Sequence, residues 1–516
     1  TTSADDADMV LTQANAFTGA VTLTSTDTNT DNAEDIDLTN SIALVLGGST
    51  NTGTLDVIAT TGNITQTGVL NVGGASSFTT SADDADMVLT QANAFTGNVT
   101  ISSQGTSGNV TIDNGTTALG VQGTANGNLV LISGEVITDS AALTVSGTTT
   151  VTTDVADKAI TLGTLASTGD VSLNSSGTTG NAVVNNTTTA LGLAASSIGG
   201  TLTAETDNSI TVKGTVTSKG VTSLSASDDV IFAAAGALAS TNGNITVTAD
   251  DDNTPTGTGG AMTMANGATI NSGTGTITLS ADEDIALGGL TTTNATGAAV
   301  SITSDNGSIT DGGDTSVDIT ASTTGAVVTL VAKNAIGTVS GDSVYLDPAD
   351  TGYAGNPLET AMLTASITTS AVNSDIAIDN TSSGGLTISA LQPGGAGNAA
   401  SAWIRNSAAL DVSGITINST NNSADELAFI ATTGNLTVQD IGTTPLNVGT
   451  VGVLKLEALA GDVTETGAND NLNVTAQDFI LKSNTSETVT LAVTNFDGQI
   501  TGTGNDLTAT QTTGDL

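Results

Sequence analysis

Residues 88–121 read VLTQANAFTGNVTISSQGTSGNVTIDNGTTALGV, and the parsing of that stretch decides the fold. In GNVTISS the apolar Val99 and Ile101 stand two apart with hydroxyl residues between them. Strict alternation sends successive side chains to opposite faces of a pleated strand. Gly97 and Gly108 mark the breaks, each followed by Asn. Both residue types tolerate the positive φ of a tight corner. The stretch is therefore a series of short strands joined by corners. It recurs at a spacing of 72 in ITLGTLASTGDVSLNSSGTTGNAVVNNTTTALGL (160–193), where Gly97 falls on Gly169 and Gly108 on Gly180.

Working outward, TTSADDADMVLTQANAFTG occurs twice without a change, at 1–19 and 79–97, a spacing of 78. The same alternation appears at Val21 and Leu23, Val171 and Leu173, Ile245 and Val247, Ile277 and Leu279, and Leu436 and Val438. No segment has a capped 3.6-residue apolar period, so helices are not expected. Corner glycines are spaced so that a coil takes roughly 21 residues with two strand–corner units in each. Isolated hairpins of this length cannot bury their apolar faces, but stacked coils can. The expected fold is all-β, a single elongated parallel β-helix (β-solenoid). A string of β-sandwiches would need core aromatics, and residues 96–231 hold none.

Composition supports a narrow core. Aromatics are 2% of the 516 residues while apolar residues are 37%. The texture changes near residue 250, beyond which all 5 prolines lie. Two regions are read: regular solenoid repeats over 1–250, and continued solenoid over 251–516 with loop insertions near 341–362 and 391–408. Those insertions carry Tyr345, Tyr353, Trp403 and Arg405, the candidate partner contacts. The plainer reading of these aromatics is a plug covering the solenoid.

With 51 acidic and 7 basic residues the formal net charge is −44. Such a surface repels nucleic acid and anionic lipid, so neither is expected as a partner. No apolar run is long enough to span a bilayer, so no membrane insertion is expected. The sequence opens on Thr without a signal-peptide pattern, and a processed product or a segment of a longer protein is expected.

Several units resemble a known family. LSASDDVIF (224–232), LSADEDIAL (279–287) and TLTAETDNSITV (201–212) resemble the repeats of filamentous-haemagglutinin-type β-helix proteins. TTGNITQTGVLNVGGASSFTTSADDADMVLTQANAFTG (60–97) is similar to repeats of large bacterial β-strand-repeat surface proteins. The resemblance covers most of the chain as a texture. It implies a right-handed solenoid, extracellular or cell-surface localisation, and use as a fibre or adhesin. The family's N-terminal secretion domain is not in this sequence.

The chain has no His and no Cys, which excludes a Ser–His–Asp triad, a Cys nucleophile and a conventional zinc site. Carboxylate chemistry of the lyase or hydrolase kind is a remote alternative, and no enzyme is expected. No cofactor is required. Calcium is the metal candidate, since hard cations take several oxygens. Asp27, Asn29 and Asp31 alternate as in the opening of a calcium loop, although Asn32 stands where Gly is usual. DDD at 250–252 and DGGD at 311–314 are weaker candidates. The expected function is a structural segment of a secreted fibre or adhesin, self-associating end to end. The alternative is a glycan- or cell-binding module using the two loops.

Overall fold

The computed structural model describes all residues except 3–6, 26–33, 251–258, 314–315, 339–354, 372, 395–399, 416–425, 440–445, 449–451, 467–470 and 513–516. Among the described residues there are 54 strands and no helix. Parallel strands stack as a β-solenoid of about 19 turns, as the alternation predicts. The chain divides into two compact units, Thr1–Gly243 and Asn244–Leu516.

In the first unit one ladder runs through Ile36–Asn40, Leu55–Ala59, Ser76–Asp83, Val99–Gln104 and Leu119–Ala125. A second runs through Leu44–Asn51, Ile64–Gln66, Met87–Leu89, Val110–Asp113, Leu129–Ser133 and Thr149–Thr153. Val99, Ile101, Val110 and Ile112 are fully or almost fully buried, while the hydroxyl residues between them face out. Each buried Val, Leu or Ile contributes about 1.5–3 kcal/mol. Ordering the backbone costs about 1–2 kcal/mol per residue, so one coil alone cannot hold its shape. Stacking supplies the missing burial.

The coil length matches the expectation in this unit. Leu55 pairs with Ser76, 21 residues on, Thr149 with Val171, 22 on, and Leu202 with Thr222, 20 on. Early in the second unit the coils lengthen: Ile277 to Val300 is 23, Val300 to Val328 is 28, and Val328 to Ala365 is 37; towards its end they shorten again, Leu472 to Val489 being 17. Strand lengths stay near 5 residues, so the extra residues enter between strands. The 391–408 region, expected as a loop, is partly strand: Ser401–Asn406 pairs with Ile376–Asn380 on one side and Glu426–Ala431 on the other.

The duplicated stretch takes two different paths. In the second copy, Met87–Leu89 and Ala94–Phe95 are separate strands, paired with Ile64–Thr65 and Asn71–Val72. In the first copy, Met9–Asn15 is one strand paired with Ile36–Asn40, in the other ladder. Alternation satisfies either ladder, because each has one buried and one exposed face. The adjacent coils therefore decide the path.

Within Leu119–Ala125 the register slips between Val121 and Gly123. Gly123 has φ +109°, and a Cβ there would run into the Ile101 carbonyl of the preceding coil. Gly123→Ala is expected to destabilise the first unit by about 1–3 kcal/mol, read in a urea melt. A change within experimental error would mean that the corner relaxes freely.

Candidate functional site

A recurring constellation is a buried asparagine at the end of a strand. Asn114 is fully buried; its Oδ1 accepts the Phe95 N–H at 2.8 Å. Its Nδ2 donates to the carbonyls of Phe95 (3.1 Å), Thr117 (3.0 Å) and Ala118 (2.8 Å). Asn40 does the same with Phe17, Ile42 and Ala43, and Asn186 with Ser167, Thr189 and Ala190. Each one ties the backbone of the preceding coil to its own turn. A side-chain amide offers both a donor group and an acceptor, which a hydroxyl cannot match over the same reach. These residues carry architecture rather than reactivity. The sequence shows Asn in plenty but does not distinguish these buried positions.

A second device sits on the outside. Asp84 and Asp157 have φ of 60° and 65°. Asp84 Oδ1 accepts the Thr106 and Ser107 N–H groups at 2.8 and 2.9 Å, and Asp157 Oδ1 those of Thr178 and Thr179 at 2.6 and 2.8 Å. These backbone donors hold both carboxyls below the ordinary aspartate range. A lowered folded pKa adds stability above the unfolded value of about 3.9. That stability is lost as pH falls through the folded value. The melting difference between the wild type and Asp84→Asn is therefore expected to be constant at neutral pH and to shrink below about pH 3.9. A difference that grows on acidification would contradict this. Asp37 is raised instead, first by burial and then by Asp56, its register partner, with Asp35 and Asp8 adding to the effect.

Of the residues singled out from sequence, Asp27, Asn29, Asp31, Tyr345 and Tyr353 lie outside the described residues. Trp403 is in the strand Ser401–Asn406 and is fully buried, so it offers no contact surface. The strand is buried on both faces: Ala402 and Ile404 face the core, and Trp403 packs with Ala428, Ile430 and Val453. A strand covered on both sides loses its alternation, which is why SAWIRN carries no strand signal in the sequence. Arg405 is part-buried, forks onto Asp379 at 3.0 and 2.5 Å and lies 5.9 Å from the Trp403 ring. It is a structural ion pair of the kind that fixes a guanidinium in place.

Asp311, from the DGGD candidate, meets two acids that no motif spacing joins to it. Carboxylate oxygens of Asp311, Asp318 and Glu359 lie within 4.8 Å of one another. The two aspartates are buried. The Asp311 carboxylate accepts from Gly313 N–H at 3.0 Å and Asn356 Nδ2 at 2.8 Å, and Asp318 Oδ2 accepts from Glu359 N–H at 3.0 Å. Among the described residues this is the one acidic group with metal-ligand spacing. Three carboxylates suit a hard cation but fall short of the six to eight oxygens calcium takes.

Three stretches match a family model. It is described as repeats of unknown function (DUF5649), and the matches cover residues 33–102, 107–178 and 179–239. Their starts are 74 and 72 residues apart, close to the long repeat read from the sequence. All lie in the first unit. Each match spans about three coils and includes one or more of the buried asparagines Asn40, Asn114 and Asn186. No curated protein and no solved structure matches the chain.

Proposed function

We propose that the chain is a structural segment of a bacterial extracellular fibre or surface adhesin and acts as a scaffold without catalysis. The observation that carries this reading is the repeated device itself: buried asparagines and backbone-capped aspartates fasten coil to coil. A repeat β-solenoid of this kind suits a load-bearing role, because each coil adds the same contacts as the last. The acidic surface, the absence of His and Cys, and the resemblance of the repeats to bacterial surface proteins support location outside the cell.

Self-association is part of the proposal. Phe95 and Met87 are fully buried, whereas Phe17 is 36% exposed and Met9 is part-exposed in the same sequence. A further parallel strand laid beside Met9–Asn15, from another copy or from more of the same chain, would cover them. Parallel edges add head to tail and so build filaments. Electron microscopy of the purified chain is expected to show filaments that lengthen with concentration. Discrete particles of one size at every concentration would overturn the self-association.

A further inference from the structure

We propose that Asn266–Gly267 is a modification site, at which the asparagine side chain deamidates spontaneously through a cyclic imide while the chain stays folded. Asn followed by Gly occurs at Asn114–Gly115, Asn126–Gly127, Asn242–Gly243, Asn266–Gly267 and Asn306–Gly307. Glycine favours imide closure because it has no Cβ to crowd the new ring. The reaction needs two groups: the glycine backbone nitrogen as nucleophile and the asparagine side-chain carbonyl carbon as its target. The five sites differ in whether the fold leaves these groups available.

At the other four sites the glycine N–H is engaged. Gly115 N–H donates to Asp113 Oδ1 at 2.8 Å, and Gly127 N–H to the Gly108 carbonyl at 3.0 Å. Gly243 N–H donates to Ser240 Oγ at 2.9 Å, and Gly307 N–H to Ser304 Oγ at 3.0 Å. Asparagine side chains are held as well. Asn114 is locked by the bonds described above, and Asn126 Nδ2 donates to the Ser103 carbonyl at 2.9 Å. Asn306 Nδ2 donates to Asp282 Oδ1 at 2.6 Å, and its Oδ1 accepts from Lys333 Nζ at 2.7 Å.

Asn266–Gly267 differs on both counts. The Ala265 carbonyl accepts the Ala268 N–H at 2.9 Å, which closes a β-turn with Asn266 and Gly267 at its centre. Such a turn bonds its first carbonyl to its last N–H and leaves the central N–H groups out of the ring. Gly267 has φ +89°, and both central residues are exposed. Among the described residues neither the Gly267 N–H nor the Asn266 side chain has a hydrogen-bond partner. The turn joins Met262–Met264 to Thr269–Asn271, strands laid on Ile285–Leu287 and Gly289–Thr291 of the next coil. Its ends are fixed by the ladders and its centre is open.

In the reaction the Gly267 nitrogen gives up its proton and bonds to Asn266 Cγ. The Cγ–Nδ2 bond breaks, and ammonia leaves with that proton. Water then opens the imide at either carbonyl. One opening gives aspartate; the other gives isoaspartate, whose backbone runs through the former side chain and is longer by a methylene. Either product adds a negative charge at the corner. Neither changes a ladder residue, so the modified chain keeps its coils.

The test holds the purified full chain in warm, mildly alkaline buffer, one sample folded and one unfolded in urea. Peptide mass spectrometry locates the conversion, and enzymatic methylation of isoaspartyl carboxyls counts it independently. In the folded chain Asn266 is expected to convert at least an order of magnitude faster than the other four, which must first open locally. In urea the five are expected to convert at similar rates, because the bonds that distinguish them are gone. Asn266→Gln is expected to abolish the fast methylation with the melting temperature unchanged. Conversion in the folded chain that is fastest elsewhere, spread evenly, or absent while the unfolded chain reacts would overturn the proposal. So would a lead for Asn266 that persists unchanged in urea, because local sequence would then set it.

Discussion

Phe95→Ala is expected to cost about 3–5 kcal/mol, whereas Phe17→Ala costs about 1 kcal/mol or less, although both sit in the same nineteen-residue sequence. Phe95 is fully buried and meets Phe78 edge-on, with ring centres 5.6 Å apart and planes at 66°. Removing its ring empties a cavity that fixed backbone on both sides cannot fill. Phe17 is 36% exposed and leaves no such cavity. The two backbones are bonded alike, each N–H to a buried asparagine at 2.8 Å, so the comparison isolates the packing. Urea melts of the two variants check this. Equal losses would mean that the two copies are packed alike, against the structure.

Asn114→Ala is expected to be at least as damaging. It removes the acceptor for the Phe95 N–H and the donor for three carbonyls, those of Phe95, Thr117 and Ala118. A buried polar group left without a partner costs about 1–3 kcal/mol. With one N–H and three carbonyls losing a partner together, the loss is expected to exceed about 3 kcal/mol. Asn114→Asp keeps the acceptor but faces the carbonyls with a carboxylate, so it should not rescue. Hydrogen exchange gives a local readout: the Phe95 amide should lose protection before amides two coils away. A melting curve within about 0.5 kcal/mol of the wild type would refute the role assigned to Asn114.

Much of the fold was legible because a solenoid is written locally. Val99 and Ile101 alternate with hydroxyls, and glycines mark the corners, so strand, face and coil length follow from neighbours in sequence. What was hidden depends on contacts across coils. The path of TTSADDADMVLTQANAFTG is set by what lies beside it, and the same letters run through different ladders in the two copies. The strand containing Trp403 lacks alternation because both its faces are covered. Glu359 bonds to Asp318 across 41 residues, a separation that no motif spacing would suggest. The buried asparagines stand out from the chain's many others only through the coil packed against them.

The account rests on parallel coils in the stated register, and cysteine cross-linking tests that most directly. The chain has no native cysteine, so introduced pairs react without background. Thr150 lies beside Ser172 on adjacent coils, both facing out. Parallel neighbours about 4.8 Å apart fall inside the Cα separation of about 4.4–6.8 Å that a disulfide spans. The double variant Thr150→Cys, Ser172→Cys is predicted to close an intramolecular disulfide on mild oxidation while it remains folded. A folded protein whose two thiols stay free and fully reactive would contradict the solenoid register.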